Sequence, residues 1–137
     1  MIVVDTGALL ALLDADEDHH ADLRDLYDAY PGRWVLPWAI LPEVDDLAGA
    51  HFGARAQEAF LDDVASGVFS VEWGRDEDLA VARRLCTRYK SLRLGLVDAV
   101  VIATAERLKA DAIATLDLRH FGAVSIKGNP RLIPRDR

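Results

Sequence analysis

A single cysteine, a single methionine and only five prolines in 137 residues leave little material for a covalent or irregular scaffold. Cys86 has no partner for an internal disulfide, so the fold must be held by a hydrophobic core, and a chain of this length is long enough to bury one. Its spacing from Leu79, Ala82 and Tyr89 suits packing on one helical face rather than redox chemistry. No apolar run reaches the roughly 18 residues that a membrane span requires, and the N-terminus has no basic leader and meets acids early. These absences describe a soluble, unexported protein of a reducing cytoplasm with no membrane partner. With 51% hydrophobic and 28% charged residues the composition is globular, and without an internal repeat, linker or low-complexity segment a single domain over residues 1–137 is expected.

The net charge of −7 is unevenly distributed. Residues 1–82 carry 4 Lys/Arg against 18 Asp/Glu, whereas residues 83–137 carry 12 against 5. Arg83, Arg84, Arg88, Lys90 and Arg93 form the densest basic stretch, which is compatible with tracking a nucleic-acid backbone and equally with a solvated helix face.

Hydrophobic periodicity alternates between short strand-like and longer helix-like segments. Met1 to Val4 reads as a strand, with Thr6 as N-cap of the helix that follows, and a second helix carries Leu23, Leu26, Tyr27 and Tyr30. Trp34 to Leu36 is the next strand, followed by helices from Pro37 to about His51 and from Ala54 to Ala65, the latter turning Ala56, Ala59, Phe60 and Val64 inward. Val68 to Trp73 alternates as a strand, Asp76 opens a helix to about Tyr89, and Leu96 to Lys109 is a nearly apolar helix. Ala112 to Leu116 is a further strand, and short edge strands are expected near Val124–Ile126 and Arg131–Ile133. Trp34, Trp38 and Trp73 read as core or interface anchors. This order describes an α/β domain with a mostly parallel sheet covered on both faces, in which ligands bind at the carboxyl ends of the strands.

Four acids stand at the ends of apolar runs. Asp5 is the one charge in residues 1–13, Asp98 the one charge in residues 94–105, Glu43 interrupts the uncharged stretch that begins at Trp34, and Asp117 follows the uncharged Ala112–Leu116. Removing a carboxylate from water costs several kcal/mol unless a cation or hydrogen bonds compensate. Each acid alone could be a helix cap or a loop start. Asp5 and Asp117 follow strands and Asp98 opens a buried helix, so a parallel sheet brings them to one edge, where Glu43 can join them. Three or four carboxylates without a matching histidine or cysteine set suit Mg²⁺ or Mn²⁺ rather than zinc. The histidines His19 and His20 are adjacent, point apart, and do not form a ligand pair.

The segments around these acids resemble the four motifs of the PIN-domain family of metal-dependent ribonucleases, particularly its small VapC-type toxins. The resemblance rests on Ile2-Val3-Val4-Asp5-Thr6-Gly7, Pro42-Glu43-Val44, Gly95-Leu96-Val97-Asp98-Ala99 and Ala114-Thr115-Leu116-Asp117-Leu118-Arg119-His120-Phe121, and it spans essentially the whole chain. It implies a three-layer α/β/α sandwich with a short, mostly parallel central sheet. It also implies that Asp5, Glu43, Asp98 and Asp117 form the catalytic, metal-binding pocket, with Asp5 and Asp98 as direct ligands and Thr6 and Thr115 as supporting hydroxyls. Arg119 and His120, just after Asp117, are placed to touch substrate phosphate. The implied chemistry is Mg²⁺-dependent hydrolysis of RNA by activated water, Mn²⁺ being a possible substitute, with 5′-phosphate and 3′-hydroxyl products. The implied assembly is a homodimer, neutralised in a heterotetramer or larger complex by a cognate antitoxin. Two positions depart from the family pattern: Gly7 stands where relatives often carry Ser or Asn, and Lys90-Ser91-Leu92-Arg93 is basic or neutral where many carry a further acid. The alternatives are a catalytically silent PIN-like module that binds RNA or protein, against which the intact acids argue, and an aspartyl-phosphate enzyme, which would want an acid at Gly7.

Overall fold

The computed structural model describes all 137 residues. Five strands, β1 (Ile2–Val4), β2 (Trp34–Pro37), β3 (Ser70–Glu72), β4 (Ala112–Ala114) and β5 (Arg131–Ile133), form one sheet in the order β3-β2-β1-β4-β5. Every neighbouring pair is parallel, so the sheet is wholly rather than mostly parallel. Seven helices fill the connections: α1 (Thr6–Leu13), α2 (His20–Ala29), α3 (Ile40–Phe52), α4 (Ala54–Ser66), α5 (Asp76–Arg88), α6 (Leu96–Leu108) and α7 (Leu118–Phe121).

Strand order determines the layers. The path steps outward from β1 to β2 to β3, then crosses back to β4, and right-handed crossovers therefore place α1–α4 on one face of the sheet and α5 and α6 on the other. Packing agrees, since α1 lies against α2 and α3, α3 against α4, and α5 against α6. The central strands are buried on both faces, which is why β1 and β4 read as continuous apolar runs without alternation. Val3, Leu36 and Ile113 in the sheet meet Leu9 and Ile40 from one layer and Ile102 from the other. Helix α6 is buried at every position from Ala99 to Ala105, which explains its lack of amphipathic patterning.

Several expectations need correction. The N-cap position of α1 belongs to Asp5, Thr6 is its first helical residue, and no side chain caps the helix. In α4 only Phe60 is fully buried, with Ala56 and Val64 half-buried and Ala59 exposed. The third helix begins three residues after Pro37, because Pro37 still pairs with Glu72 in the ladder. Val124–Ile126 forms no strand: Ser125 N donates to the Tyr89 hydroxyl and Lys127 N to Glu106 Oε2, so its backbone is satisfied by side chains while Val124 and Ile126 remain buried. Trp34 is a core residue and Trp38 packs against the core, but Trp73 is 72% exposed beside the edge strand. Half-buried Cys86 packs against the core as expected, although Leu79 on the same helix is exposed.

A buried ion network closes the β3 edge. Arg107 near the end of α6 donates from Nε to Asp78 Oδ1 at 2.8 Å and from Nη2 to Asp78 Oδ2 at 3.0 Å and Glu72 Oε1 at 2.7 Å. Asp78 also accepts the Arg75 amide at 3.0 Å, tying the start of α5 to the end of α6. The turn between β3 and α5 depends on Gly74, whose φ of +86° is joined to a tight approach: an added Cβ would lie 2.8 Å from Trp38 Nε1. Removing the guanidinium leaves Asp78 charged and buried. Arg107→Met is expected to cost about 3 kcal/mol in urea denaturation, with a substantial part recovered in the Arg107→Met, Asp78→Leu double variant. Equal stability of Arg107→Met and the parent would refute this role.

Candidate active site

The sheet reverses its winding direction between β1 and β4, and an open parallel sheet has its crevice there, beyond the carboxyl ends of the strands. Register does the rest. Val4 pairs with Ala114, so the next residues, Asp5 and Thr115, leave the sheet side by side, with Asp5 N donating to Ala114 O at 2.9 Å. Thr115 Oγ1 donates to Asp5 Oδ2 at 3.0 Å and accepts the Asp117 amide at 3.0 Å. One buried hydroxyl thereby holds two of the four acids.

The other two arrive on helices. Helix α3 leaves the carboxyl side of β2 and α6 runs into the amino end of β4, so both begin at the carboxyl edge, with Glu43 and Asp98 in their first turns. Helix α7, not anticipated from the periodicity, begins at Asp117, whose Oδ1 accepts the His120 amide at 3.0 Å. Its ring turns inward: His120 Nδ1 lies 2.7 Å from Asp117 Oδ2 and 3.5 Å from Asp98 Oδ2, and Nε2 lies 2.9 Å from the carbonyl oxygen of Leu92. His120 is thus part of the acidic cluster rather than displayed toward solvent, whereas Arg119 is exposed. The i,i+3 spacing of Asp117 and His120 could have signalled this pairing, but the approach of Leu92 is a tertiary contact with no local signature.

All four predicted acids therefore face one edge, in unequal environments. Asp5 is 6% exposed, Asp98 and Asp117 are half-buried, and Glu43 is exposed. Ligand atoms of Asp98, Asp117 and His120 lie within 4.8 Å of one another, close enough to share one ion. Thr6 contributes a buried hydroxyl with no hydrogen-bond partner in the protein.

Burial, and then the charges of Asp98 and Asp117, push the Asp5 carboxyl up to about 7 against the Thr6 amide and the Thr115 hydroxyl, which favour its charged form. Asp98 is raised by burial, opposed by His120 and reinforced by Asp117 and Glu43. For Asp117, burial acts upward but is outweighed by hydrogen bonds from the amide and ring of His120, and its pKa falls below the ordinary value. His120 is raised by its hydrogen bond to Asp117. Because the folded state holds the Asp5 proton more tightly than the unfolded chain, its contribution to stability is present at low pH and is lost as pH rises from about 4 to about 7. In chelator, the melting temperature is expected to decline across that window, and Asp5→Asn is expected to be the more stable protein at pH 8 by on the order of 2–4 kcal/mol. Parallel pH profiles for the two proteins would exclude this assignment.

Comparisons with known proteins agree with this architecture. Ribonuclease VapC26 of Mycobacterium tuberculosis is 32% identical over 130 residues, covering 95% of this chain and 96% of that protein. The crystal structure of Mycobacterium tuberculosis VapC20, described as a sarcin–ricin loop cleaving toxin, superposes with a TM-score of 0.82 at 23% identity over 93% of this chain and 98% of the other. FitAcB from Neisseria gonorrhoeae superposes with a TM-score of 0.65 at 13% identity, covering 96% of each chain. The PIN domain family matches residues 2–127, which contain both strands and both helices that deliver the four acids, and with that match the chain belongs to the PIN domain family.

Proposed function

We propose that this protein is a divalent-metal-dependent endoribonuclease, with Asp5, Glu43, Asp98 and Asp117 as its catalytic acids. The observation that carries the reading is the convergence of these four acids, from four separate elements, at the one sheet edge where topology opens a crevice. The name of the relative VapC26, a ribonuclease, supports RNA as the substrate. Burial, and after it the neighbouring carboxylates, raise the Asp5 carboxyl, and a bound cation would offset both.

The donor set fits Mg²⁺ or Mn²⁺: it is rich in carboxylate oxygens, and the unpartnered Thr6 hydroxyl beside Asp5 supplies a further oxygen. Asp5, Asp98 and Asp117 would hold the ion, with Glu43 facing them from α3. When bound, such an ion supplies Lewis acidity and charge neutralisation for attack of water on a phosphodiester. The chain's own residues provide the positioning. Thr115 orients Asp5 and Asp117 together, burial keeps bulk water from Asp5, and exposed Glu43 is open to accept a proton from water at the pocket mouth. Arg119, exposed directly after Asp117, supplies a positive charge for substrate phosphate. Hydrolysis by water in line with the leaving oxygen gives 5′-phosphate and 3′-hydroxyl ends.

The reading extends to biology as a toxin whose acidic pocket receives a basic segment of a cognate antitoxin, charge complementarity giving that contact its specificity. The toxin itself would be a homodimer that joins its antitoxin in a heterotetramer or larger assembly.

Purified protein, free of antitoxin, is expected to cleave end-labelled total RNA with Mg²⁺ or Mn²⁺, to leave 5′-phosphates, and to be silent in EDTA. Asp98→Asn is expected to reduce the rate by about 100-fold or more. Cleavage that persists in EDTA and in Asp98→Asn would overturn the proposal. A second variant tests the bridging hydroxyl: Thr115→Val is expected to lower cleavage by about 10–100-fold while Thr115→Ser retains most of it, measured as initial rates on the same RNA.

A further inference from the structure

We propose that His120 is a direct metal ligand, its Nδ1 joining Asp98 and Asp117 in a mixed nitrogen and oxygen set that favours a first-row transition ion over Mg²⁺. This rests on the metal-dependent reading above and adds a ligand, and a metal preference, that four carboxylates alone do not imply.

The argument starts from the two sides of one imidazole. Nε2 lies 2.9 Å from the Leu92 carbonyl oxygen, which can only accept, so Nε2 carries a hydrogen. In the neutral ring this leaves the Nδ1 lone pair directed at Asp117 Oδ2, 2.7 Å away, and Asp98 Oδ2, 3.5 Å away. An imidazole that donates one ring N–H to a backbone carbonyl while turning the other nitrogen toward carboxylates has the posture of a metal-binding histidine with its outer partner in place. Three acceptor atoms facing a common point repel one another unless a cation lies between them. A proton on Nδ1 meets that need when no metal is bound, and a divalent ion meets it when one is.

Local structure holds the ring in this orientation. Asp117 Oδ1 accepts the amide of His120, so the acid and the ring are set one turn apart on α7, and the single 3₁₀ turn Lys90–Leu92 presents the carbonyl from the opposite side. That turn and the Arg93 that follows it carry no acid: the segment is Lys90, Ser91, Leu92 and Arg93. The segment's contribution to the pocket is a backbone carbonyl, and the additional donor comes from α7. Imidazole nitrogen suits transition ions, whereas Mg²⁺ prefers an all-oxygen shell, so a nitrogen donor among the carboxylates changes which ion binds best.

The experiment uses the full chain and Mn²⁺, whose unpaired electrons report directly bound nitrogen. Electron spin-echo modulation of the Mn²⁺-loaded protein is expected to show coupling to ¹⁴N, and to change pattern when histidine is supplied with ¹⁵N in its ring, which requires no mutation. His120→Gln is expected to abolish the coupling and weaken Mn²⁺ binding by about 10-fold or more, with a change below about 3-fold for Mg²⁺, measured by calorimetry on protein whose melting curve shows it folded. His19, His20 and His51 remain in that variant, so loss of the signal assigns it to His120. Mn²⁺ binding that depends on Asp98 but shows no nitrogen coupling would overturn this inference and leave the nuclease reading intact. Absence of any divalent-ion binding would overturn both.

Discussion

The pairing of Val4 with Ala114 across β1 and β4 is the constraint on which the site depends. Side chains alternate along a strand, so a slip of one residue would move Asp5 away from Thr115 and break the hydroxyl bridge that holds Asp5 and Asp117. The two strands are short, three residues each, yet both are completely buried, and burial on both faces makes the register costly to change. The connections then bring the first turns of α3 and α6 to the same edge, because α3 leaves the carboxyl side of β2 and α6 runs into the amino end of β4. A small number of backbone decisions thus assembles four acids that lie up to 112 residues apart in sequence.

Two acids of this protein are fully buried, and the fold treats them in opposite ways. Asp78, at 3% exposure, receives a guanidinium through two hydrogen bonds and a backbone amide. Asp5, at 6%, receives a hydroxyl and finds two more carboxylates facing it. The first is a compensated charge that ties three elements together. The second is only partly compensated, raised first by burial and then by its acidic neighbours, an arrangement that does not serve stability. The Asp5 carboxylate stands at the N-cap position of α1 without forming a side-chain cap, and its Oδ2 accepts from Thr115.

The acids were legible in the sequence because each interrupts an apolar run, and their common edge followed from strand and helix order. The layers and the parallel sheet were legible for the same reason. What periodicity could not show was contact at long range. Leu92 meeting His120 depends on how α5 ends against the Asp117 turn, and the missing strand at Val124–Ile126 depends on Tyr89 and Glu106 capturing backbone amides from other elements. Helix α7, with four residues, is too short to display a period at all. Exposure of Trp73 was hidden for a related reason, since an edge strand gives no sequence sign of which side lacks a neighbour.

The separation of helices by the sheet turns an uneven sequence into an electrical shape. Helices α1–α4 carry 9 acids against 2 bases, while α5 and α6 on the opposite face carry 5 acids against 4 bases, most bases of residues 83–137 lying in the turns and strand around them. One helical layer is therefore strongly acidic and the other nearly neutral. Within the screening length of about 8 Å at physiological salt, a negatively charged surface is repelled more strongly by the α1–α4 layer than by the α5–α6 layer. The net value of −7 conceals this difference between the two sides of the sheet.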